Sequence, residues 1–539
     1  MVARLTRRRF LQALGAVGGA GAVVGSMEAL GLAPEVVRHK QRFHAPRSSD
    51  FHLHGTVNDT SVLILGGGDA GLATAYELEK AGYRCEILEA RGRPGGRCWT
   101  VRGGDRHVDL DGTSQHARFA DGLYLNAGPA RIPQHHTTLE YCRELGVPIE
   151  VIINANPDAF LYREPAAGSS GPLTGKPIRR RAAKADYNGY VSELLAKSTN
   201  QGALDSALSP DDREALVEYL RGVGALSPHD RYTGSDNRGY TRPPGAADVA
   251  GTVARPYDLS SLLASGLGSA FPFEQEWDQA MPMFQPVGGM DRIPHALAAA
   301  VQGRIRYGAK VRRIDVSPHR VSVIYTDTDE QSYLVEADFC VCTIPPTVLR
   351  NIDNNLPAKV VAALQSLQAM STGKMGLQFK RRFWEEDCRI YGGITDTNLD
   401  IGTIWYPSTG FHGERGIVLG YYNYLDQSER FAAMSPKQRT RRALDQGAKI
   451  HGDVYRSEYE TSFSVHWQRE RYSEGGWVLW QDRAHSSAYR TLLDPVGRLY
   501  FAGDHLSYVT AWQHGAFESA RHVVTQLHKR VLAAGGGHR

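Results

Sequence analysis

Hydrophobic and polar positions change period several times along this chain, and the changes mark out its elements. Val62-Leu63-Ile64-Leu65 is a short apolar run of the kind found in buried parallel strands. A helical pattern follows through Leu72, Ala75, Leu78 and Glu79 and ends near Gly82. A second strand, Arg84-Cys85-Glu86-Ile87-Leu88, closes at Glu89. Near the far end, Leu499-Tyr500-Phe501 is a strand running into a turn, ahead of the helix-like Gly515-Ala516-Phe517-Glu518-Ser519-Ala520. Cys340 and Cys342 are two apart in an apolar strand, so they share one face and are expected to be buried. Gly416 to Tyr424 reads as a further strand. Between Val151 and Gln279, helical patterns such as Asp211 to Val223 alternate with Gly/Pro-rich loops. No internal repeat is visible.

At 539 residues the chain is too long for one compact core, which predicts two or three folding units. Its 42% hydrophobic and 22% charged residues are those of an ordinary soluble enzyme, and a formal charge of +4 gives no reason to expect a nucleic-acid partner. The basic runs Arg179-Arg180-Arg181 and Lys380-Arg381-Arg382 read as solvated faces, and His229 as a solvated loop residue. Six cysteines without a CxxC pair point to neither a zinc site nor a disulfide framework. His135 and His136 are adjacent, but no HExxH-like spacing stands nearby, so no metal is expected.

The N-terminus changes the picture of location. Thr6-Arg7-Arg8-Arg9-Phe10-Leu11-Gln12 precedes an uncharged Ala/Gly/Val stretch from Ala13 to Gly25, the pattern of an export signal. The stretch is shorter than the about 20 apolar residues of a stable membrane span. Twin arginines before Phe-Leu resemble the signal of the twin-arginine pathway, which carries folded proteins. Residues 1–34 are read as that signal, and 35–58 as an N-terminal arm of an exported, secreted or cell-envelope protein.

The strongest chemical signal lies between the first strand and helix. Gly66-Gly67-Gly68-Asp69-Ala70-Gly71 satisfies G-x-G-x-x-G. Gly66 permits the tight turn, Gly68 lets the backbone approach a pyrophosphate, and Gly71 lets the helix pack close to the strand. The helix N-terminus then offers free N–H groups and a positive dipole to phosphates. Glu89 stands at the right remove to hydrogen-bond the ribose hydroxyls, followed by Ala90 and Arg91. A dinucleotide site is expected, and Arg93-Pro94-Gly95-Gly96-Arg97 favours FAD over NAD.

That R-x-G-G-R segment resembles the second fingerprint of the flavin amine oxidase family, which includes monoamine, polyamine and L-amino acid oxidases. In that family it runs beside the pyrophosphate and flavin, a place that suits the guanidinium of Arg97. Phe284-Gln285-Pro286-Val287-Gly288-Gly289-Met290 is like the family's glycine turn near the flavin. Ile305 to Ile314, with Lys310-Val311 inside it, matches the strand that touches the adenine. Leu499 to Asp504, with Gly503 and Asp504 in the turn, matches the segment that closes the FAD site. Asp504 stands where relatives often carry Glu. The resemblance covers nearly the whole chain after the signal and implies FAD. The stretch His485-Ser486-Ser487-Ala488-Tyr489 lacks the cysteine that some monoamine oxidases use for attachment, so FAD is expected to be non-covalent.

The resemblance also implies the chemistry: a hydride passes from the carbon bearing nitrogen to flavin N5, and the neutral amine is the reactive form. Lys374, in Ser371-Thr372-Gly373-Lys374-Met375, matches the family lysine that holds a water near N5. Gly128-Pro129-Ala130-Arg131-Ile132-Pro133 looks like the L-amino acid oxidase segment whose arginine clamps the substrate carboxylate. A planar guanidinium matches a carboxylate in a bidentate pair. Ala511 and Trp512 match the small-residue-plus-aromatic pair beside the flavin. L-amino acid oxidases often have a tyrosine on the strand Ile404-Trp405-Tyr406-Pro407. Trp405 and Tyr406 face opposite sides, so only one lines the pocket, and Tyr406 is the expected substrate contact. No general base is identifiable.

The expected fold is α/β. A Rossmann-like FAD-binding domain is assembled from discontinuous segments (59–118, 281–350 and 485–529). A mixed α+β substrate domain comes from 119–150 and 351–484, with a helical insertion over 151–280. The expected activity is an FAD-dependent L-amino acid oxidase that uses molecular oxygen and releases a 2-oxo acid, ammonia and hydrogen peroxide. Rival readings are an amine or polyamine oxidase with a structural Arg131, a decarboxylating amino-acid monooxygenase, and a flavin-carrying protein without turnover. Relatives are often homodimers, and the same is expected here.

Overall fold

The fold was obtained as a computed structural model, which describes residues 51–165, 171–203 and 208–535. The export signal at 1–34 and the arm up to residue 50 lie outside the described residues.

The described chain forms two compact units. The larger is organised on a five-stranded, all-parallel sheet. In space the strands run Arg304–Tyr307, Arg84–Glu89, Ser61–Leu65, Phe339–Cys342 and Leu499–Phe501. Numbered by chain position, that order is 3-2-1-4-5, the doubly wound arrangement with its switch point beside the first strand. Period-2 alternation divides the first strand between two cores. Val62 and Ile64 pack on one side with Leu72, Leu78, Phe517 and Val524, while Leu63 and Leu65 pack on the other. Cys340 and Cys342 share the second side and are buried free thiols, whereas Val341 faces the first. Helices Asp69–Lys80 and Gln513–Gly535 cover the first side.

A second sheet in this unit carries strands Tyr459–His466, Thr372–Phe379, Gly416–Tyr424, Thr403–Tyr406, Gly393–Thr397 and Phe160–Tyr162, in that order. Thr372–Phe379 lies between two neighbours and is buried along its whole length. Its register sets Lys374 opposite Tyr422 on one side and Val465 on the other.

The smaller unit contains residues 178–271 and is mainly helical, with helices Arg180–Asn200, Pro210–Gly224 and Leu259–Ser265. Ser209 and Asp212 form a capping box ahead of Pro210–Gly224, with Pro210 at the first turn. Buried Asp186 accepts from both Nε and Nη2 of Arg238 at 2.8 and 2.9 Å and from Tyr232 Oη at 2.6 Å, so every oxygen of that interior carboxylate is satisfied. This unit is shorter than the 151–280 insertion expected from sequence. Ile149–Ile153 pairs with Pro282–Pro286, and Phe160–Tyr162 pairs with Gly393–Thr397, so the start of that stretch belongs to sheets of the larger unit, which also takes in residues 272–280 at its end. Short strands flanked by loops carry too little local pattern to reveal such long-range pairing. Among the described residues, no helix is long and apolar enough to cross a membrane.

Candidate active site

A cavity of about 350 Å³ opens at the carboxyl ends of the parallel strands, within the larger unit. Its first end is the glycine loop. Gly66 has φ +104°, and a Cβ there would stand 2.7 Å from Thr343 Oγ1. A Cβ on Gly71 would stand 1.9 Å from the Gly66 carbonyl oxygen, so only glycine lets this helix sit so close to its strand. Gly68 differs: its backbone is extended, it lines the cavity, and a Cβ there would meet no protein atom within 4 Å. The protein's own atoms therefore do not require glycine at 68 and leave the space beside it open. Leu72 N–H makes the first bond of the helix, to Gly68 O, which leaves the preceding N–H groups of the first turn free of helical acceptors.

Glu89 accepts from Gly67 N–H and from Arg91 N–H, both at 2.7 Å, and so fixes the loop to the end of the second strand. Arg97 donates to the Gly476 carbonyl and pairs with Asp504. Asp504 also accepts from Ala511 N–H at 3.0 Å. Burial alone would raise the Asp504 carboxyl, but Arg97, His505 and the Ala511 N–H outweigh it and hold it below the usual range. Asp69 is pushed up to about 7 by burial, although Gln513 donates to it at 3.1 Å. Ala511 has φ +73°, a conformation that L-residues hold only under the constraint of their surroundings.

The other end of the cavity is aromatic and cationic. Lys374 Nζ donates to the Gly128 carbonyl and lies 4.4 Å from the Tyr422 ring centroid. Burial, reinforced by the nearby charge of Arg131, lowers its pKa to about 7. The Arg131 guanidinium lies 4.4 Å from the Trp405 ring centroid, 5.5 Å from Phe273 and 5.8 Å from Trp512. Its Nε and Nη1 are buried with no hydrogen-bond partner among the described residues. Burial also lowers its pKa from the usual value. The carboxylates lining the cavity are Asp69, Glu89 and Asp504, all at the glycine-loop end.

Of the residues assigned to cofactor or substrate from sequence, Gly66, Gly68, Asp69, Ala70, Glu89, Ala90, Arg91, Arg97, Gly128, Pro129, Ala130, Arg131, Val311, Lys374, Gly503, Asp504, Ala511 and Trp512 all line this cavity. Gly71 does not line it and serves helix–strand packing instead. The glycine turn at 284–290 does not reach the lining either. Tyr406 requires correction: its hydroxyl is 2.8 Å from both Thr395 Oγ1 and His451 Nε2, and its ring is buried in the core behind the second sheet. Strand alternation therefore puts Trp405 in the cavity, and the choice between the two turned on a side of the strand that period 2 alone does not assign. Tyr422, Tyr424 and Phe273 went unnoticed in the sequence. The signal for the first two was their spacing of two in the strand Gly416–Tyr424, which places both on one face.

A cavity with a dinucleotide loop at one end and an unpaired guanidinium among aromatic rings at the other narrows the comparison with known proteins. A family model described as flavin containing amine oxidoreductase matches residues 70–528. YobN of Bacillus subtilis (strain 168) is 28% identical over 487 residues, which cover 88% of this chain and 96% of that protein. The L-amino-acid oxidase of Bothrops pauloensis is 27% identical over 482 residues, covering 87% and 88% of the two chains. The solved structure of cyclohexylamine oxidase from Brevibacterium oxydans matches with a TM-score of 0.57 at 18% identity, over 88% of this chain and 99% of that one. That last likeness speaks for the fold alone.

Proposed function

This chain belongs to the flavin-containing amine oxidoreductase family, and from that premise we propose that it is an FAD-dependent L-amino acid oxidase. The observation that carries the reading is Arg131, whose buried Nε and Nη1 have no partner and whose guanidinium is walled by Trp405, Phe273 and Trp512. A buried cation left without a counter-charge is costly, and a carboxylate on the substrate removes that cost. A simple amine has no carboxylate to offer Arg131 and leaves it unpaired, and no carboxylate lines that end of the cavity.

The glycine-loop end suits FAD: Gly68 keeps clear the space that a pyrophosphate needs, and the helix beginning at Asp69 points its N-terminus at it. Glu89 would hold the ribose, and the Arg97–Asp504 pair the linker between ribose and ring. When bound, the flavin would supply the acceptor for the hydride of the substrate α-carbon, with oxygen as the final oxidant.

The chain's own residues do the rest. Arg131 takes the carboxylate in a two-pronged pair and thereby sets the α-carbon's position. Trp405, Tyr422 and Trp512 exclude water around it. Lys374, with its pKa near 7, is largely neutral above that pH, so it accepts or releases a proton at Nζ without placing a second permanent charge beside Arg131. The product imino acid hydrolyses to a 2-oxo acid and ammonia, with hydrogen peroxide formed from oxygen. FAD is held without a covalent bond, and acid or heat should release it intact. Export by the twin-arginine route suits an enzyme loaded with its cofactor before it leaves the cytoplasm.

The test is anaerobic mixing of the yellow protein with the common L-amino acids and a panel of primary amines, following the flavin band. Bleaching by L-amino acids and not by amines is expected. Bleaching by amines alone would overturn the reading.

A further inference from the structure

Next to the cavity, but outside its lining, three side chains converge on one point. His135 Nε2 and His136 Nε2 lie 3.1 and 3.0 Å from the same oxygen, Oδ1 of Asp278. One ligand atom from each of the three lies within 4.8 Å of the others. The two rings are edge to face, 4.8 Å between centroids, so their nitrogens approach the oxygen from different directions. The geometry points to a divalent transition-metal site here, of the zinc class, formed by two imidazoles and one carboxylate with a water completing the shell.

The donor set and its spacing both support this. Two imidazoles with a carboxylate are a common zinc donor set, and metal–donor bonds of about 2.0–2.1 Å put neighbouring donor atoms of a tetrahedron about 3.3 Å apart. The separations of 3.1 and 3.0 Å are already close to that. The site is also reachable: the side chains of His135 and Asp278 are 29% and 30% exposed, while that of His136 is 1% exposed and forms the floor. Asp278 stands far from the histidines in sequence, which is why no ligand spacing announced the cluster.

The position gives the metal a consequence. Arg131 precedes His135 in one short segment, and the His136 ring meets Trp512 edge-on at 5.1 Å and stacks on His514 at 4.4 Å. A cation drawing the two imidazoles and the carboxylate together fixes that segment and leans on Trp512. It would therefore act on substrate capture, raising KM with little change in kcat, and would reverse with a chelator. This kinetic part rests on the proposed amino acid oxidase reading, whereas binding of the metal does not.

The experiment loads untagged, FAD-containing protein with Zn2+, removes free metal by gel filtration, and measures bound zinc and flavin together. One equivalent of zinc is expected to be lost on His135→Gln and on Asp278→Asn, with flavin content unchanged. Affinity by calorimetry should fall about 100-fold or more, since even outer-shell changes at metal sites cost about 10- to 100-fold. No retained equivalent in the parent protein, or equal retention in both variants, would overturn the site. Should either variant fold poorly, the parent protein decides: Zn2+, but not Mg2+ at the same concentration, should raise its Tm, and equal effects of the two ions would overturn the site. Zinc bound as expected with an unchanged KM for L-amino acids would keep the site and overturn its action on substrate capture.

Discussion

At the glycine-loop end of the cavity, much of the lining is main chain. Glycines hold side chains out of the way, N–H groups face the opening, and carboxylates anchor backbone to backbone, as Glu89 does for Gly67 and Arg91. At the opposite end, the lining is side chain from several remote segments: Arg131, Lys374, Trp405, Tyr422 and Trp512. The first end is adapted to an invariant, phosphate-bearing group, for which backbone geometry suffices. The second is adapted to a variable molecule, and there the balance of charge and ring faces decides what enters.

Substitutions that separate the two ends break this comparison in turn. The largest effect is expected from Gly68→Val, whose Cβ enters open cavity with no protein atom within 4 Å. The protein should fold yet purify nearly colourless, and a full flavin complement would show that the loop does not hold the pyrophosphate. Arg131→Met should keep its flavin while kcat/KM for L-amino acids falls about 100- to 1,000-fold, as expected when one member of a buried charged pair is removed. Equal losses for amines and amino acids would make Arg131 structural.

Lys374→Met tests the electrostatics of the second end. The folded pKa of about 7 lies below the ordinary lysine value, so folded protein binds fewer protons than unfolded protein across that interval. Wild-type stability from this group therefore rises with pH above about 7, and burial of the charge costs most below it. The variant should gain Tm at pH 6 and gain less at pH 10. The ionisation near pH 7 in its kcat/KM profile should vanish. Smallest is the contrast on one strand: Trp405→Phe should raise KM several-fold. Tyr406→Phe should leave kinetics unchanged while costing about 1 kcal/mol of stability for its buried hydroxyl bonds. A kinetic effect of Tyr406→Phe alone would reverse their placement.

The same division governs what was legible. The glycine loop, its strand, its helix and Glu89 lie within one contiguous stretch, so local periodicity and spacing exposed them together. Strand Gly416–Tyr424 was legible for the same reason. Lys374 and Arg131 were found through family resemblance, not through pattern, because they meet only once the second sheet sets its register. Trp405 against Tyr406 shows the limit: alternation says that they part, and only the neighbouring strands decide which one faces the cavity. Asp278 meets the two histidines across a long stretch of chain, and a lone aspartate in a loop has no local signature.

The 3-2-1-4-5 strand order also has a consequence in time. The sheet's first strand, Ser61–Leu65, leaves the ribosome long before its fifth, Leu499–Phe501, which is followed by Asp504 and Trp512. A nascent chain that has not yet reached that strand presents the glycine loop without the turn that completes the cofactor's cradle. The cradle is therefore complete only once that strand and turn have been made, and a message truncated before them would yield a polypeptide with the dinucleotide motif intact and no means of keeping its flavin.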